Sequence, residues 1–196
     1  MLNRRTYFIR EHVGLLKLSD TYDILDPETK QQIGLAKEEP GLLIHVLRFL
    51  VNKQILPTKV LVYRADSAED PSDVQFSIHR GFTFLRSKII IRDASGNEVG
   101  WLKSKMLSLG GAFYVFDAAG NEVAMVKGDW KGWNFRFLDK LENEMGTITK
   151  KWAGLGKELF TSADNYLIDL KQSHAPDKAM LLLAAGLAVD IVYKEK

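Results

Sequence analysis

Four stretches of the chain share one pattern, and this repeat restricts the fold more than any other feature. Each stretch has a short β-forming run, an aspartate, a polar turn and a second β-forming run. Asp, Gly and Asn between apolar runs predict a β-hairpin, because Gly and Asn accept positive φ and Asp bonds its own turn. Hairpins in series can close into a barrel that has no edge strand. The aspartates are Asp26, Asp93, Asp117 and Asp139, the last three spaced by 24 and 22 residues.

The second strand of each hairpin carries a small residue at one matching position. Residues two apart on a strand share a face, and a modest apolar residue follows two positions later in each case. We interpret the small residues as places where another backbone comes close, and we expect them to line the barrel interior against a helix. The open alternative is that they only relieve the curvature of the barrel. They are Gly34, Gly100, Ala124 and Gly146.

Residues 180–193, MLLLAAGLAVDIVY, are apolar on all sides except at Asp190. A helix of about fifteen residues reaches only about 22 Å, which is short of a hydrocarbon core of about 30 Å. Asp190 inside a membrane would cost about 2.5–3.5 kcal/mol. The segment therefore predicts a buried core helix over about 178–193, with the barrel around it, rather than a transmembrane helix.

A second helical pattern lies between Pro40 and Pro57, with apolar and polar residues on separate faces. It predicts one additional amphipathic helix that covers an end of the barrel. The predicted fold is therefore mainly β, a closed antiparallel barrel of about 12 strands around a buried C-terminal helix. We expect residues 1–196 to form a single domain.

The composition argues against several classes of function. A net charge of +2 lacks the basic excess of a dedicated nucleic-acid binder, so no nucleic-acid partner is expected. The absence of cysteine excludes disulfides and thiolate metal sites and favours a cytoplasmic location. The four histidines lack ligand spacing, and no phosphate loop, nucleophile elbow or zinc motif is present. We expect no catalysis, no cofactor and no metal.

Lysines and tryptophans are interleaved in the segments KGDWKGW and TKKW, which begin at Lys127 and Thr149. Indole rings beside lysines suit a lipid interface or an anionic headgroup. The open alternative is an ordinary surface on which tryptophans cover the barrel wall. The candidate interface residues are Lys127, Trp130, Lys131, Trp133, Lys150, Lys151 and Trp152.

The chain resembles the Tubby C-terminal-like superfamily over nearly its whole length, and within it the phospholipid scramblase and LURP-one-related families; residues 146–170 and the apolar helix carry the resemblance. Scramblases are similar in a Gly-x-Ile-x-Lys-x-Trp segment, then Phe-Thr-x-Ala-Asp-Asn, then an apolar helix with an Asp near its end. The opening YFIREHVGLLKLSDTYDILD and the segment FSIHRGFTFLRSK resemble the bacterial LURP-one-related branch. The matching residues are Gly146, Ile148, Lys150, Trp152, Phe160, Thr161, Ala163, Asp164, Asn165 and Asp190.

The resemblance implies a meander barrel around a C-terminal helix and a role connected with phospholipids. Scramblases also have a proposed calcium loop that begins just before Ala-Asp-Asn, where this chain has Ser162 in place of Asp. Only Asp164 remains of the charged ligands, beside Asn165, and calcium needs several converging carboxylates. We therefore expect a vestigial loop without a metal.

These observations favour a non-enzymatic, scramblase-like or LURP-one-related module that binds a phospholipid or a membrane surface. Anionic phospholipid is the expected partner, and the expected location is cytoplasmic or peripheral to a membrane. A soluble protein-interaction scaffold without lipid binding is the alternative. A third interpretation, an enzyme with a site at the barrel mouth, lacks a visible acid–base pair.

Overall fold

The computed structural model describes residues 1–12, 19–41, 44, 56–64, 70–81, 88–104, 112–129, 132–150 and 165–193. These residues form twelve strands, one 3₁₀ turn at Pro71–Asp73 and the α-helix α1 (Pro176–Tyr193). The strands are β1 (Thr6–Glu11), β2 (Thr21–Leu25), β3 (Gln32–Glu38), β4 (Thr58–Arg64), β5 (Val74–Arg80), β6 (Lys88–Asp93), β7 (Glu98–Ser104), β8 (Ala112–Asp117), β9 (Glu122–Asp129), β10 (Asn134–Leu138), β11 (Glu144–Thr149) and β12 (Tyr166–Leu170).

The twelve strands form one closed antiparallel barrel. Each strand pairs with its neighbours in the sequence, and β12 pairs with β1 through Thr6↔Asp169 and Ile9↔Tyr166. Since every strand has two partners, the sheet has no edge with unpaired backbone groups. The predicted hairpin meander and its strand number are confirmed.

The repeated aspartates hold the hairpin turns together. Asp117 Oδ1 accepts a hydrogen bond from the backbone N–H of Asn121 at 2.7 Å, and Oδ2 accepts one from its side-chain amide at 2.9 Å. Asp93 with Asn97, and Asp139 with Asn143, repeat the same arrangement. Hydrogen bonds from the asparagine lower the pKa of all three carboxyl groups.

The two ends of the barrel are connected differently. At the turn end, the odd-numbered strands begin, and the connections there are 26–31, 65–73, 94–97, 118–121, 139–143 and 171–175. At the loop end, the odd-numbered strands finish, and the connections there are 12–20, 39–57, 81–87, 105–111, 130–133 and 150–165. The loop end therefore carries the greater length of chain outside the strands.

A β-bulge recurs in five hairpins and explains the small residues of the repeat. In β6–β7 the register shifts after the pair Ile91↔Gly100, so Val99 is the extra residue that precedes the small one. Equivalent shifts occur in β2–β3, β4–β5, β8–β9 and β10–β11. Because bulges bend strands and increase their twist, the repeat supplies the curvature that closes the barrel.

The glycines of the repeat lie where the wall is too crowded for a side chain. A Cβ on Gly100 would clash with the carbonyl oxygen of Phe116, and one on Gly146 would clash with that of Asp169. A Cβ on Gly34 would lie 2.9 Å from the carbonyl oxygen of Tyr63. Each crowding carbonyl belongs to the adjacent strand.

Our expectation that the small residues line the interior is supported by their burial, and their contact with the helix is shown at Gly100. All four are buried, but among the three glycines only Gly100 has a helix residue, Leu181 at 2.9 Å, as a close neighbour of a would-be Cβ. Met1 occupies this position at Gly34, and the neighbours at Gly146 come from β12. The glycines therefore allow close packing between neighbouring strands more than close packing of the helix against the barrel wall.

Helix α1 shares one hydrophobic cluster with the inward-facing side chains of the strands. Its side chains from Ala179 to Val189 are buried, and Leu182, Leu183 and Leu187 are completely inaccessible to solvent. Gly186 lets the helix approach β12, because a Cβ there would clash with Ile168. In the described part of the chain, no helix is both long enough and apolar enough to span a membrane.

The predicted amphipathic helix between Pro40 and Pro57 falls on residues 42–43 and 45–55, outside the described residues, with Ile44 between them. It stays a prediction.

Candidate functional site

Three of the seven predicted interface residues are described, and all three lie at the loop end. Lys127 is near the end of β9 that lies at the loop end, Trp133 directly precedes β10, and Lys150 directly follows β11. Strands β10 and β11 pair through Asn134↔Thr149, which brings Trp133 next to Lys150. Two separate sequence segments thus meet at one place on the barrel.

The other four interface residues lie outside the described residues. They are Trp130, Lys131, Lys151 and Trp152, whose chain neighbours Asp129, Gly132 and Lys150 are at the loop end.

Trp133 is the centre of an aromatic cluster at the barrel mouth. Its ring centroid lies 5.3 Å from that of Tyr166 and 5.9 Å from that of Phe135, in the second case edge to face. The Lys150 ammonium lies 4.1 Å from the Trp133 ring centroid, in a cation–π contact. Trp133 also has φ of 47°, which bulky residues rarely adopt and which costs about 1–3 kcal/mol.

A cleft opens on the outer wall beside this aromatic cluster, across β9, β10 and β11. Its volume is about 670 Å³. Two cations stand in it side by side, because Lys127 is the direct cross-strand partner of Arg136, and both are exposed. The lining residues are Lys127, Gly128, Asp129, Gly132, Asn134, Arg136 and Thr149.

Most of the cleft residues were not singled out from the sequence. Asn134, Thr149 and Asp129 enter the cleft because the register places them on the outward face next to the Lys127–Arg136 pair. Alternation along β10, with Phe135 and Phe137 buried between exposed polar residues, is the signal that indicates this face.

Polar side chains are buried inside the barrel below the mouth. Asp190 of α1 and Tyr166 of β12 are completely buried, and Tyr22 is 1 % exposed. Burial raises the pKa of both tyrosines well above the usual value, and the negative charge of Asp190 raises it further. The Tyr166 hydroxyl group has no hydrogen-bond partner among the described residues.

The vestigial calcium loop can be followed only in part. Asn165 is buried directly before β12, whereas Ser162 and Asp164 lie outside the described residues. Across the residues that the structure describes, no three His, Cys, Asp or Glu side chains lie together so that they could hold a metal ion.

One histidine does form an acid–base pair, on the outer wall. His12 Nε2 lies 2.8 Å from Asp23 Oδ1, and Arg10 donates two hydrogen bonds to Oδ2 at 2.6 and 3.0 Å. Since Asp23 is shared between a guanidinium and an imidazole, the arrangement links β1 to β2.

The residue types in the connections differ sharply between the two ends. Connections at the loop end contain nine Lys or Arg against four Asp or Glu, whereas those at the turn end contain three against eight. Large apolar residues (Val, Ile, Leu, Met, Phe or Trp) number 26 at the loop end and one, Leu141, at the turn end. One end of the barrel is therefore basic and apolar in composition, and the other is acidic and polar.

The fold and the site define a class of molecule: a closed meander barrel with a helix in its core and basic and aromatic residues gathered at one end. The chain belongs to the scramblase family, because the family model described as Scramblase matches residues 71–196, more than half of the chain. The match begins at the 3₁₀ turn before β5 and includes α1. Among curated proteins and solved structures, nothing matches the chain.

Proposed function

We propose that this protein is a non-enzymatic module that binds anionic phospholipid surfaces through the loop end of its barrel. The observation that carries the proposal is the contrast between the two ends, of which only one is both basic and rich in large apolar residues. Membership of the scramblase family supports a role connected with lipids. In this proposal the protein is cytoplasmic and attaches to the membrane peripherally.

Apolar and basic residues act on a membrane through different forces. Apolar side chains favour binding because they transfer from water to the boundary between headgroups and acyl chains. Each lysine or arginine near an anionic surface adds about 1 kcal/mol, and this part weakens with salt because it falls off within a Debye length. A surface that combines both forces binds anionic vesicles better than neutral ones.

The aromatic cluster at the mouth fits this role. An indole such as that of Trp133 places its apolar body and polar N–H at the level of the headgroups, and Lys150 above it supplies a cation at the same depth. We propose that Trp130, Lys131, Lys151 and Trp152 extend the same surface, with Lys127 at its border.

Within the scramblase-like proteins, we propose that the chain is related to the LURP-one-related branch of the Tubby-like superfamily. In this proposal residues 1–196 form one domain. The family match covers β5 to α1, and the resemblance of the opening residues would extend it to β1–β4.

A soluble interaction scaffold is the second candidate. The same apolar loops could cover a partner protein in place of a lipid surface, and exposed apolar patches mark both kinds of interface. The two candidates differ in what they bind, so a direct lipid-binding measurement separates them.

The test is sedimentation of the protein with vesicles of phosphatidylcholine alone or of phosphatidylcholine with phosphatidylserine. We expect binding to the anionic vesicles that declines as salt rises. The triple variant Lys131→Gln/Lys150→Gln/Lys151→Gln loses three cations of the loop end. At about 1 kcal/mol each, it should partition on the order of 100-fold more weakly.

A matched control removes three lysines from the turn end, as Lys30→Gln/Lys140→Gln/Lys171→Gln. It has the same net charge as the first variant and should bind like the wild type. Equal losses in both variants would indicate a general effect of charge, and no binding to either vesicle would favour the scaffold.

A further inference from the structure

The Lys127–Arg136 pair is arranged in a way that costs stability. The two cations are directly opposite each other on neighbouring strands, and like charges in that position repel. Within the described ranges, neither side chain has an ion pair or a hydrogen bond with the protein. No described carboxylate is bonded to either cation, so the repulsion between Lys127 and Arg136 is not offset in this way.

The cleft around this pair is large enough to hold a small ligand. Its volume of about 670 Å³ lies within the range of about 300–1,000 Å³ that is typical of ligand pockets. Asn134 and Thr149 add an amide and a hydroxyl, both able to donate hydrogen bonds. The cleft therefore combines two positive charges with neutral donors.

Two glycines line this cleft, Gly128 and Gly132, and neither adds a side chain to it. A Cβ on Gly128 would lie 2.6 Å from the Cα of Phe135 and would clash with other atoms of β10. One on Gly132 would lie 3.1 Å from Asp129 Oδ2. Any side chain at Gly128 would thus force β9 and β10 apart, directly under the Lys127–Arg136 pair.

Asp129 is the one acidic residue that lines the cleft. It is the cross-strand partner of Asn134, two pairs closer to the loop end than Lys127 and Arg136. A ligand with a phosphate against the two cations and a hydroxyl or ammonium group beside it would satisfy both parts of the cleft.

We propose that the cleft binds a phosphate group, held by Lys127 and Arg136 and by donors from Asn134 and Thr149. The guanidinium of Arg136 matches the geometry of phosphate oxygens, and Lys127 acts as a point charge beside it. The proposal deepens the proposed function, on which it rests for its lipid form, by assigning the headgroup phosphate to one cleft. The same chemistry would accept a free phosphate.

The first arm of the test uses inorganic phosphate without lipid. Amide resonances of Gly128, Gly132 and Arg136 are followed during a titration at constant ionic strength, with chloride as the reference anion. We expect saturable shifts, and we expect Lys127→Gln/Arg136→Gln to weaken binding at least about tenfold. Arg92→Gln/Lys140→Gln, which removes one arginine and one lysine near the turn end, should leave the affinity unchanged.

Asp129→Asn gives an independent test of the same geometry. Removing a negative charge from the cleft should strengthen binding of inorganic phosphate several-fold, because the carboxylate repels it. Weaker or unchanged binding would contradict the placement of phosphate between Lys127, Arg136 and Asp129.

The second arm uses vesicles of phosphatidylcholine with or without phosphatidic acid. If the headgroup is the ligand, the wild type prefers phosphatidic acid and Lys127→Gln/Arg136→Gln loses this preference, whereas the control variant keeps it. Phosphate shifts without vesicle binding would support a site for free phosphate and overturn the proposed function. Vesicle binding that is equal in all variants, without phosphate shifts, would overturn the cleft proposal alone.

Discussion

Tyr166 and Tyr7 are both completely buried tyrosines, but only one of them uses its hydroxyl group. The Tyr7 hydroxyl donates a hydrogen bond of 2.9 Å to the carbonyl oxygen of Arg4. The Tyr166 hydroxyl is buried near Asp190 and makes no hydrogen bond with the described protein. Burying a hydroxyl group without a hydrogen bond costs free energy, so the Tyr166 hydroxyl group lowers the stability of the folded protein.

Replacing each tyrosine by phenylalanine should reveal this difference. Tyr7→Phe should lower the free energy of unfolding by about 0.5–1.5 kcal/mol, because the hydrogen bond from the buried hydroxyl group to Arg4 is lost. Tyr166→Phe should leave it unchanged or raise it by up to about 1 kcal/mol. Urea denaturation measures both. A larger loss for Tyr166→Phe than for Tyr7→Phe would mean that the Tyr166 hydroxyl has a stabilising partner.

Among the elements, the three Asp–Asn hairpins share a left-handed backbone conformation at the residue before the asparagine. Gly96 and Gly120 occupy this position with φ of 85°, whereas β10–β11 has Glu142 there with φ of 62°. Left-handed backbone costs a non-glycine residue about 1–2 kcal/mol, and glycine avoids that cost at the expense of a more flexible unfolded chain.

Glu142→Gly should therefore raise the free energy of unfolding by about 0.5–1 kcal/mol. Lys103→Gly, at an exposed position in the regular part of β7, is the control and should be destabilising. The comparison is made by thermal and chemical denaturation. A loss of stability in Glu142→Gly would show that the glutamate side chain contributes more than its backbone conformation costs.

The bulge glycines make a second prediction for the hairpins. Gly100→Ala should destabilise the protein by about 1–3 kcal/mol, because its Cβ would clash with a backbone oxygen of β8, which cannot rotate away. Gly41→Ala is the control, since no atom lies within 4 Å of the Cβ it adds. Equal stability of the two variants would contradict the close contact between β7 and β8 at Gly100.

Three of the hairpins were predictable from the sequence because each of their turns carries a local signal, an Asp that binds the chain four residues later. The bulges were not, since a bulge is a property of two strands in register, and Val99 or Val123 alone gives no sign of being the extra residue. The cleft was missed for the same reason. Lys127 was recognised as a candidate, but its partnership with Arg136 depends on the pairing of β9 with β10.

At the scale of the whole molecule, the barrel and α1 share one hydrophobic core. The buried cluster contains inward-facing residues from the strands together with Leu181, Leu182 and Leu183 of the helix. Fully burying one such side chain contributes about 1.5–3 kcal/mol. The helix therefore accounts for as much free energy as the total by which a domain is normally stable, about 5–15 kcal/mol.

Deleting residues 178–196 should abolish cooperative folding, because it removes this contribution and exposes the inner wall. Absence of a thermal transition and collapsed amide dispersion would be the expected result. A truncated protein with a sharp transition and well-dispersed resonances would show that the barrel folds without its helix.

The central claim is that the loop end faces the membrane and the turn end faces away. The four tryptophans report on it directly, because Trp130, Trp133 and Trp152 belong to connections of the loop end. Trp101 lies on the outer wall, stacked on Phe116, and its ring leans toward Gly120 at the turn end. The barrel thus contains its own internal control.

The measurement is quenching of tryptophan fluorescence by brominated acyl chains in anionic vesicles. Two proteins are compared, Trp101→Phe, which retains the three loop-end tryptophans, and Trp130→Phe/Trp133→Phe/Trp152→Phe, which retains Trp101. We predict strong quenching in the first protein and little in the second, with both proteins bound to the vesicles. Equal quenching of the two, or quenching of Trp101 alone, would contradict the proposed orientation.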